Sequence, residues 1–200
     1  SAEPNKIFLP YSDNINKENF KFHKININKD LKKFQQILIK ERPGYIVNYA
    51  AQGMVAESWL NPLDWYQTNV ISQVKIFEIL KELKFIKKYL HFTTPEVYGS
   101  TNKWCKESYN FHPSTPYAVS RATSDLHLLN MHKAYNFPVI FTRTANVYGP
   151  HQQLYRIIPK ALGIFKLDGK LPLHGNGNSE RSFIYITDVN DATYKLLFRG

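Results

Sequence analysis

Tyr45-Ile46-Val47-Asn48-Tyr49-Ala50 is a short apolar run that closes on a pair of small residues, Ala50-Ala51. Its length and its aromatic and β-branched content read as a buried strand, and Arg42-Pro43-Gly44 punctuates the chain just before it. Downstream, Asn61-Pro62 reads as a helix start, with Asn as cap and Pro at the first helical position; Tyr66, Val70, Val74, Phe77 and Leu80 then recur at helical spacing. Tyr89 to Thr93 is the next strand. Strand, helix and strand in that order predict a βαβ unit with a parallel sheet. The alternation extends in both directions: a strand over Phe20 to Ile27, a short helix over Asp30 to Lys40, a helix over Ser114 to Tyr135 and a strand over Pro138 to Thr142. The fold class expected is α/β, a doubly wound parallel sheet flanked by helices.

Tyr117 and Arg121 stand four residues apart at the start of the Ser114 helix, and Thr94-Pro95-Glu96-Val97-Tyr98-Gly99 follows the Tyr89 strand. A phenol one helical turn before a fixed cation, with a hydroxyl and a carboxylate from a neighbouring strand end, suits base-assisted removal of hydride from a carbinol. The cation favours the phenolate, so the tyrosine can accept the alcohol proton while hydride leaves for a nicotinamide.

The 200 residues carry a formal charge of +10, but the lysines are scattered, as in Asn28-Lys29-Asp30-Leu31-Lys32-Lys33. No RNA-binding signature, zinc finger or continuous basic helix organises them, so nucleic acid is not an expected partner. A positive field also suits an anionic nucleotide substrate. The single cysteine, Cys105, excludes an internal disulfide framework, and no Cys/His cluster has zinc-like spacing. No metal is expected, and a reducing cytoplasm fits best. No apolar run approaches the ~20 residues of a membrane span, and the N-terminus lacks a leader pattern. Trp104 and Cys105 are expected in a loop that covers the site, and His151 and His174 as ordinary polar residues.

Ala50-Ala51, Asn69-Val70, Thr94-x-Glu96-Val97-Tyr98-Gly99, Pro116-Tyr117-Ala118-x-Ser120-Arg121, Arg143-x-x-Asn146-Val147-Tyr148-Gly149-Pro150 and Gly175-x-Gly177-x-x-x-Arg181 occur in that order. Together they resemble the extended short-chain dehydrogenase/reductase family, and more narrowly its NAD-dependent nucleotide-sugar epimerases and dehydratases, the dTDP-glucose 4,6-dehydratase-like branch above all. The resemblance implies a partial Rossmann domain over 1–150, part of a substrate-binding lobe over 151–182 and a return to the Rossmann domain over 183–200. The helix opened by Ile157-Ile158-Pro159, the Asp168-Gly169 turn and the loop Gly175-Asn176-Gly177-Asn178 fall in that lobe; Phe183 to Ile186 and a helix begun at Asp188 fall after it. The family's opening glycine-rich turn has no counterpart here, so the chain is expected to be part of a longer protein.

Carried over by position, the resemblance makes Tyr117, Arg121, Thr94 and Glu96 catalytic. Tyr117 is the base at the C4 hydroxyl, Thr94 hydrogen-bonds the same oxygen, and Glu96 handles the C5 proton. Asn26, Ile27, Ala50, Ala51, Asn69, Tyr117 and Arg121 would contact NAD; Thr94, Asn146 and Arg181 would contact the nucleotide sugar. A homodimer through the helices after Asn61 and Thr115 is also implied. Three positions depart from the pattern. Arg121 replaces the lysine after the tyrosine, Pro95 stands where dTDP-glucose dehydratases commonly carry an aspartate, and Asn26 where many relatives place an aspartate near the adenine. The leading expectation is a nucleotide-sugar 4,6-dehydratase of the dTDP-glucose or GDP-mannose type. A 4-epimerase or decarboxylase of the same family stands beside it, and so does a catalytically impaired nucleotide-sugar-binding or scaffold protein.

Overall fold

Parallel strands cannot be joined by a tight turn, so each step across such a sheet needs a crossover, and here helices supply it. The computed structural model describes residues 19–101, 104–173, 177–178 and 180–199. Two compact units are present, one of residues 25–144 and 193–200, the other of residues 1–24 and 145–192.

In the first unit, β1 (Tyr45–Asn48), β2 (Lys88–Thr93) and β3 (Val139–Arg143) form a parallel sheet in the order β1-β2-β3, with Ile46 opposite Tyr89 and Thr93 opposite Arg143. Side chains alternate across the central strand β2. Tyr89, His91 and Thr93 share one face, while Leu90 and Phe92 share the other, where the Phe92 ring lies 4.0 Å from that of Tyr49. Helix α1 (Leu31–Glu41) precedes β1, and Arg42 ends it in the left-handed region with its N–H on the Leu38 carbonyl. Leu38 joins Ile76, Phe77, Leu80, Ile86, Tyr89, Leu128, Met131 and Phe137 in the hydrophobic core.

The chain crosses from β1 to β2 through α2 (Pro62–Tyr66), a π-helical turn (Gln67–Ile71) and α3 (Ser72–Lys81). It crosses from β2 to β3 through α4 (Pro116–Tyr135), where the Thr115 hydroxyl caps the Ala118 N–H and Asn136 closes the other end in the left-handed region. Helix α4 buries polar residues in its first half, Ser120, Arg121, Ser124 and Asp125, and apolar Leu128 and Met131 in its second. Its core-facing stripe is therefore apolar at one end of the sheet and charged at the other.

In the second unit, β4 (Asn146–Tyr148) pairs in parallel with β5 (Phe183–Tyr185), and α5 (Ile157–Lys166) lies between them in sequence. Helix α6 (Ile186–Arg199) follows β5 directly. Gly149 is needed there, because a Cβ at this position would run into the Ile186 side chain.

Three sequence expectations are corrected. Phe20 to Ile27 forms no strand among the described residues: strand geometry is fixed by a ladder, and at Asn26 the backbone turns instead, its carbonyl accepting from the Lys29 and Asp30 N–H groups. The Tyr45 strand is not fully buried; its pairing is to β2, and Tyr45 remains 40% exposed. The helix begun at Pro62 is interrupted by the π-helical turn, and Asn61 makes no side-chain cap. In the Gly175-Asn176-Gly177-Asn178 loop, Gly175 and Asn176 lie outside the described residues, as does His174.

Phe77 is fully buried, edge-on to Tyr89 and His91 and stacked on His127 at ring separations of 5.8 to 5.9 Å. Truncation leaves a cavity between α3, α4 and β2. Phe77→Ala should lower stability by about 3–5 kcal/mol in urea denaturation, and a loss under about 1 kcal/mol would contradict this packing.

Candidate functional site

The first turn of a helix leaves backbone N–H groups without intrahelical partners, and at α4 each side-chain acceptor fixes the position of Tyr117. The Thr115 Oγ1 takes the Ala118 N–H at 3.1 Å. Tyr117 itself donates its N–H to Ser58 Oγ at 3.2 Å, and the Ser58 hydroxyl donates onward to the Val55 carbonyl at 2.6 Å. The Tyr117 carbonyl accepts from Ser120 Oγ at 2.7 Å. Tyr117 is thus held from both sides of its own peptide.

Ser120 also accepts from Asn69 Nδ2 at 3.0 Å. Asn69 lies in the π-helical turn, fully buried, and its amide reads the Gln52 backbone in both senses: Oδ1 accepts the N–H at 2.7 Å and Nδ2 donates to the carbonyl at 3.0 Å. Two further amides shape the end of β1. Asn48 Oδ1 accepts from the Ala50 N–H at 2.9 Å, while Gln73 Nε2 donates to the Ala50 carbonyl at 2.8 Å. Ala50 and Ala51 consequently present an exposed, fixed backbone without side-chain bulk. Asn69 holds the backbone of the next residue, Gln52. On the same side of α3, Asn28 bonds Thr68 and Ser72 at 3.1 and 2.7 Å. Asn26 holds the Asn28 N–H at 2.9 Å, and Ile27 packs on the core.

At the end of β2, Thr94 Oγ1 accepts the Glu96 N–H at 3.3 Å and starts a 3-10 turn over Pro95–Tyr98. Gly99 follows at φ 74°, in the left-handed region, and a Cβ there would strike the His112 carbonyl. Trp104 and Cys105 lie in the loop after it and are exposed.

Arg121, one turn after Tyr117, is only 2% exposed. Its Nη2 bonds the Phe92 carbonyl, and among the described residues Nε and Nη1 have no acceptor. Another turn on, Asp125 is 1% exposed; its Oδ2 accepts from Thr93 Oγ1 at 2.9 Å and from Arg143 Nη1 at 2.6 Å. His91 Nε2 lies 3.5 Å from Oδ1, a polar contact rather than a hydrogen bond. Burial pushes the Asp125 carboxyl up, but the bond and charge of Arg143 hold the group below its ordinary range. For His91 burial dominates, and with the Arg121 and Arg143 charges it outweighs Asp125 and pushes the imidazole down, so the ring is neutral at physiological pH. Burial raises the Tyr89 phenol despite the 2.5 Å bond from Asn48 Nδ2.

The first unit therefore brings Thr94, Glu96, Tyr117, Arg121, Asn69, Ala50 and Ala51 onto the ends of β1 and β2 and the helices that follow them. Asn146 and Arg181 belong to the second unit. There Asn146 bonds the Ser182 carbonyl through both its N–H and Nδ2, at 3.2 and 3.0 Å, and the exposed Arg181 bonds the Glu180 carbonyl. Sequence reasoning missed Ser58, Ser120, His91 and Asp125. Asp125 had a signal, since it continues the four-residue spacing from Tyr117 through Arg121; Ser58 had none. Among the described residues no three His, Cys, Asp or Glu side chains are placed to share a metal ion, and no helix is long and apolar enough to cross a membrane.

The family profile described as GDP-mannose 4,6 dehydratase matches residues 6–200. Human dTDP-D-glucose 4,6-dehydratase is 33% identical over 187 residues, covering 92% of this chain and 53% of the relative. Among solved structures, dTDP-glucose 4,6-dehydratase from Bacillus anthracis in complex with NAD superposes with a TM-score of 0.79 at 32% identity, covering 91% of this chain and 56% of that one. UDP-N-acetylglucosamine 4-epimerase from Methanobrevibacter ruminantium in complex with UDP-N-acetylmuramic acid gives 0.80 at 29% identity, covering 91% and 59%. The chain spans about half the length of the curated relatives it matches. The fold is thus that of the Rossmann-like neighbours.

Neutral, buried His91 sets a pH dependence with a defined sign. Its folded pKa is depressed, so the unfolded chain takes up the proton first and stability falls as pH drops below about 6.5. His91→Gln should flatten that part of the profile in thermal unfolding between about pH 8 and about pH 5. Coincident slopes for the two proteins would remove His91 from the effect.

Proposed function

The chain belongs to the GDP-mannose 4,6 dehydratase family, and from that premise we propose that the whole protein is an NAD-dependent 4,6-dehydratase of a nucleotide-activated hexose. The observation that carries this reading is the placement of a hydroxyl and a carboxylate, Thr94 and Glu96, on one short turn at the end of β2, against the helix that bears Tyr117 and Arg121. The relatives named as dehydratases, and the B. anthracis enzyme's NAD complex, support it.

The residues fit a dinucleotide. Ala50 and Ala51 offer flat backbone, and the two guanidinium donors of buried Arg121 that have no acceptor among the described residues suit the hydroxyls of a ribose. A bound NAD would supply the hydride acceptor for C4 and the hydride donor for C6. Tyr117 takes the proton of the C4 hydroxyl, while Thr94 Oγ1 hydrogen-bonds the same oxygen and orients it. With C4 a ketone, the C5 proton is acidic, and Glu96 removes it. Pro95 has no proton to give, so the protonated Glu96 supplies that same proton to the C6 oxygen, which leaves as water; when C6 gains hydride, C5 regains a proton from Glu96, recharged with the one first taken from the C4 hydroxyl. Asn146 and Arg181 would hold the glycosyl and diphosphate groups, with residues 151–182 as part of the substrate lobe. Asn26 and Ile27 would lie at the adenine and Asn69 along the cofactor.

Two other readings rest on specific observations. The likeness to the M. ruminantium 4-epimerase and the non-acidic Pro95 favour a 4-epimerase, with a decarboxylase of the same family beside it. The bond of Arg121 to the Phe92 carbonyl favours a binding protein of reduced activity. Exposed Leu63 and Ile71 on the α2–α3 helix, and Val119 and Leu126 on α4, support a homodimer through those helices. The single, exposed Cys105 suits a reducing cytoplasm.

In the full-length protein, Tyr117→Phe should slow C4 oxidation by about 10²- to 10⁴-fold. Glu96→Gln should still reduce bound nicotinamide on addition of a nucleotide hexose, yet release no 4-keto-6-deoxy product. Absorbance at the reduced-nicotinamide band and product chromatography read the two steps. Normal dehydration by Glu96→Gln would remove Glu96 from the mechanism, and interconversion of C4 epimers by the wild type would favour the epimerase.

A further inference from the structure

We infer that Arg143 and Asp125 are positioning residues: they tie the helix bearing Tyr117 to the turn bearing Glu96, and so set the separation between the group acting at C4 and the group acting at C5. The inference rests on the dehydratase reading.

Tyr117, Arg121 and Asp125 occupy successive turns of α4, and the last two bond Phe92 and Thr93 of β2. Asp125 is bonded through Oδ2 to Thr93, the residue before Thr94, and to Arg143 at the end of β3, whose register partner on β2 is Thr93. The guanidinium of Arg143 is a rigid fork, and its two arms point to different elements. Nη1 goes to Asp125 on α4; Nε donates at 2.8 Å to the hydroxyl of Tyr98, the last residue of the Pro95–Tyr98 turn. The guanidinium also covers the Tyr98 and Phe111 rings, at 5.1 and 4.8 Å from their centroids.

The Tyr98 hydroxyl is fully used. It accepts from Arg143 Nε and from the Ser108 N–H, and donates to the Ser108 carbonyl, each Ser108 bond being 3.2 Å. The loop returns to the turn at His112, whose N–H bonds the Val97 carbonyl at 2.9 Å. Helix, strand end, turn and loop therefore meet at one guanidinium. A hydrophobic cluster would hold these elements together without direction, whereas the two-armed fork fixes where the turn lies relative to α4. A shift of Glu96 by a fraction of a bond length leaves Tyr117 and Thr94 in place and misplaces only the base for the second step.

The test uses the full-length protein and two conservative variants. Tyr98→Phe removes one end of the tie and leaves the buried pair intact; Arg143→Lys keeps the charge but cannot reach both partners. Both should keep the rate of nicotinamide reduction on substrate addition within about threefold of wild type and lose at least about tenfold in release of 4-keto-6-deoxy product. Reduced nicotinamide then accumulates during turnover. Amide hydrogen exchange at Glu96, Gly99, Ser108 and His112 should quicken in both variants while exchange in α3 is unchanged, a readout independent of any reaction. Equal loss of both steps, or wild-type exchange at those four amides, overturns the inference. A wild type that makes no 4-keto product sinks the dehydratase reading, and exchange alone then decides whether the tie exists.

Discussion

A carboxylate taken out of water between a helix and a sheet must find donors for its lone pairs, and the elements that supply them are locked together by that requirement. Asp125 is such a group. Thr93 and Arg143, from neighbouring strands, supply its donors, and neutral His91 lies against its other oxygen. An apolar contact at this point would allow α4 to slide along the sheet by small steps. The hydrogen-bonded pair does not, because a misplaced carboxylate would be left charged and unsatisfied.

The second constraint is the π-helical turn. Such a turn inserts a residue into the helical register and is disfavoured on its own terms. Here it carries Asn69 into the interior, where the amide meets the Gln52 backbone and Ser120 together. The end of β1 and the first turn of α4 are thus gauged against the same side chain. With Asn48 and Gln73 on Ala50, the strand end is held by amides rather than by its own small side chains. Rigid backbone without bulk is what a flat ligand can approach.

Charge in this region is unbalanced. Arg121 and Arg143 face one ionised carboxylate, Asp125, and His91 adds no charge. The surplus lies on Arg121, whose guanidinium reaches the Phe92 carbonyl and keeps two donors free among the described residues. A lysine at this position would carry its charge as a single point, whereas the planar fork spends one arm on the Phe92 carbonyl of the sheet.

The sequence by itself determined the α/β class and the elements α1, β2, α4, β3 and α5, because apolar spacing, Pro62 at a helix start and the strand-end motif Thr94 to Gly99 are local signals. It placed Tyr117, Arg121, Thr94 and Glu96 as candidates for the same reason. It could not show the fate of Phe20 to Ile27, because alternation is only a disposition and a strand exists when a ladder forms. Nor could it show the π-helical turn, whose Asn69 bonds residues distant in sequence, Gln52 and Ser120. Ser58 as the acceptor for Tyr117 and Arg143 as the fork between Asp125 and Tyr98 were decided only by tertiary structure. Hydrogen-bond pairing over tens of residues leaves no periodicity in the chain, since it depends on which donor and acceptor the packed sheet brings within 3 Å of one another.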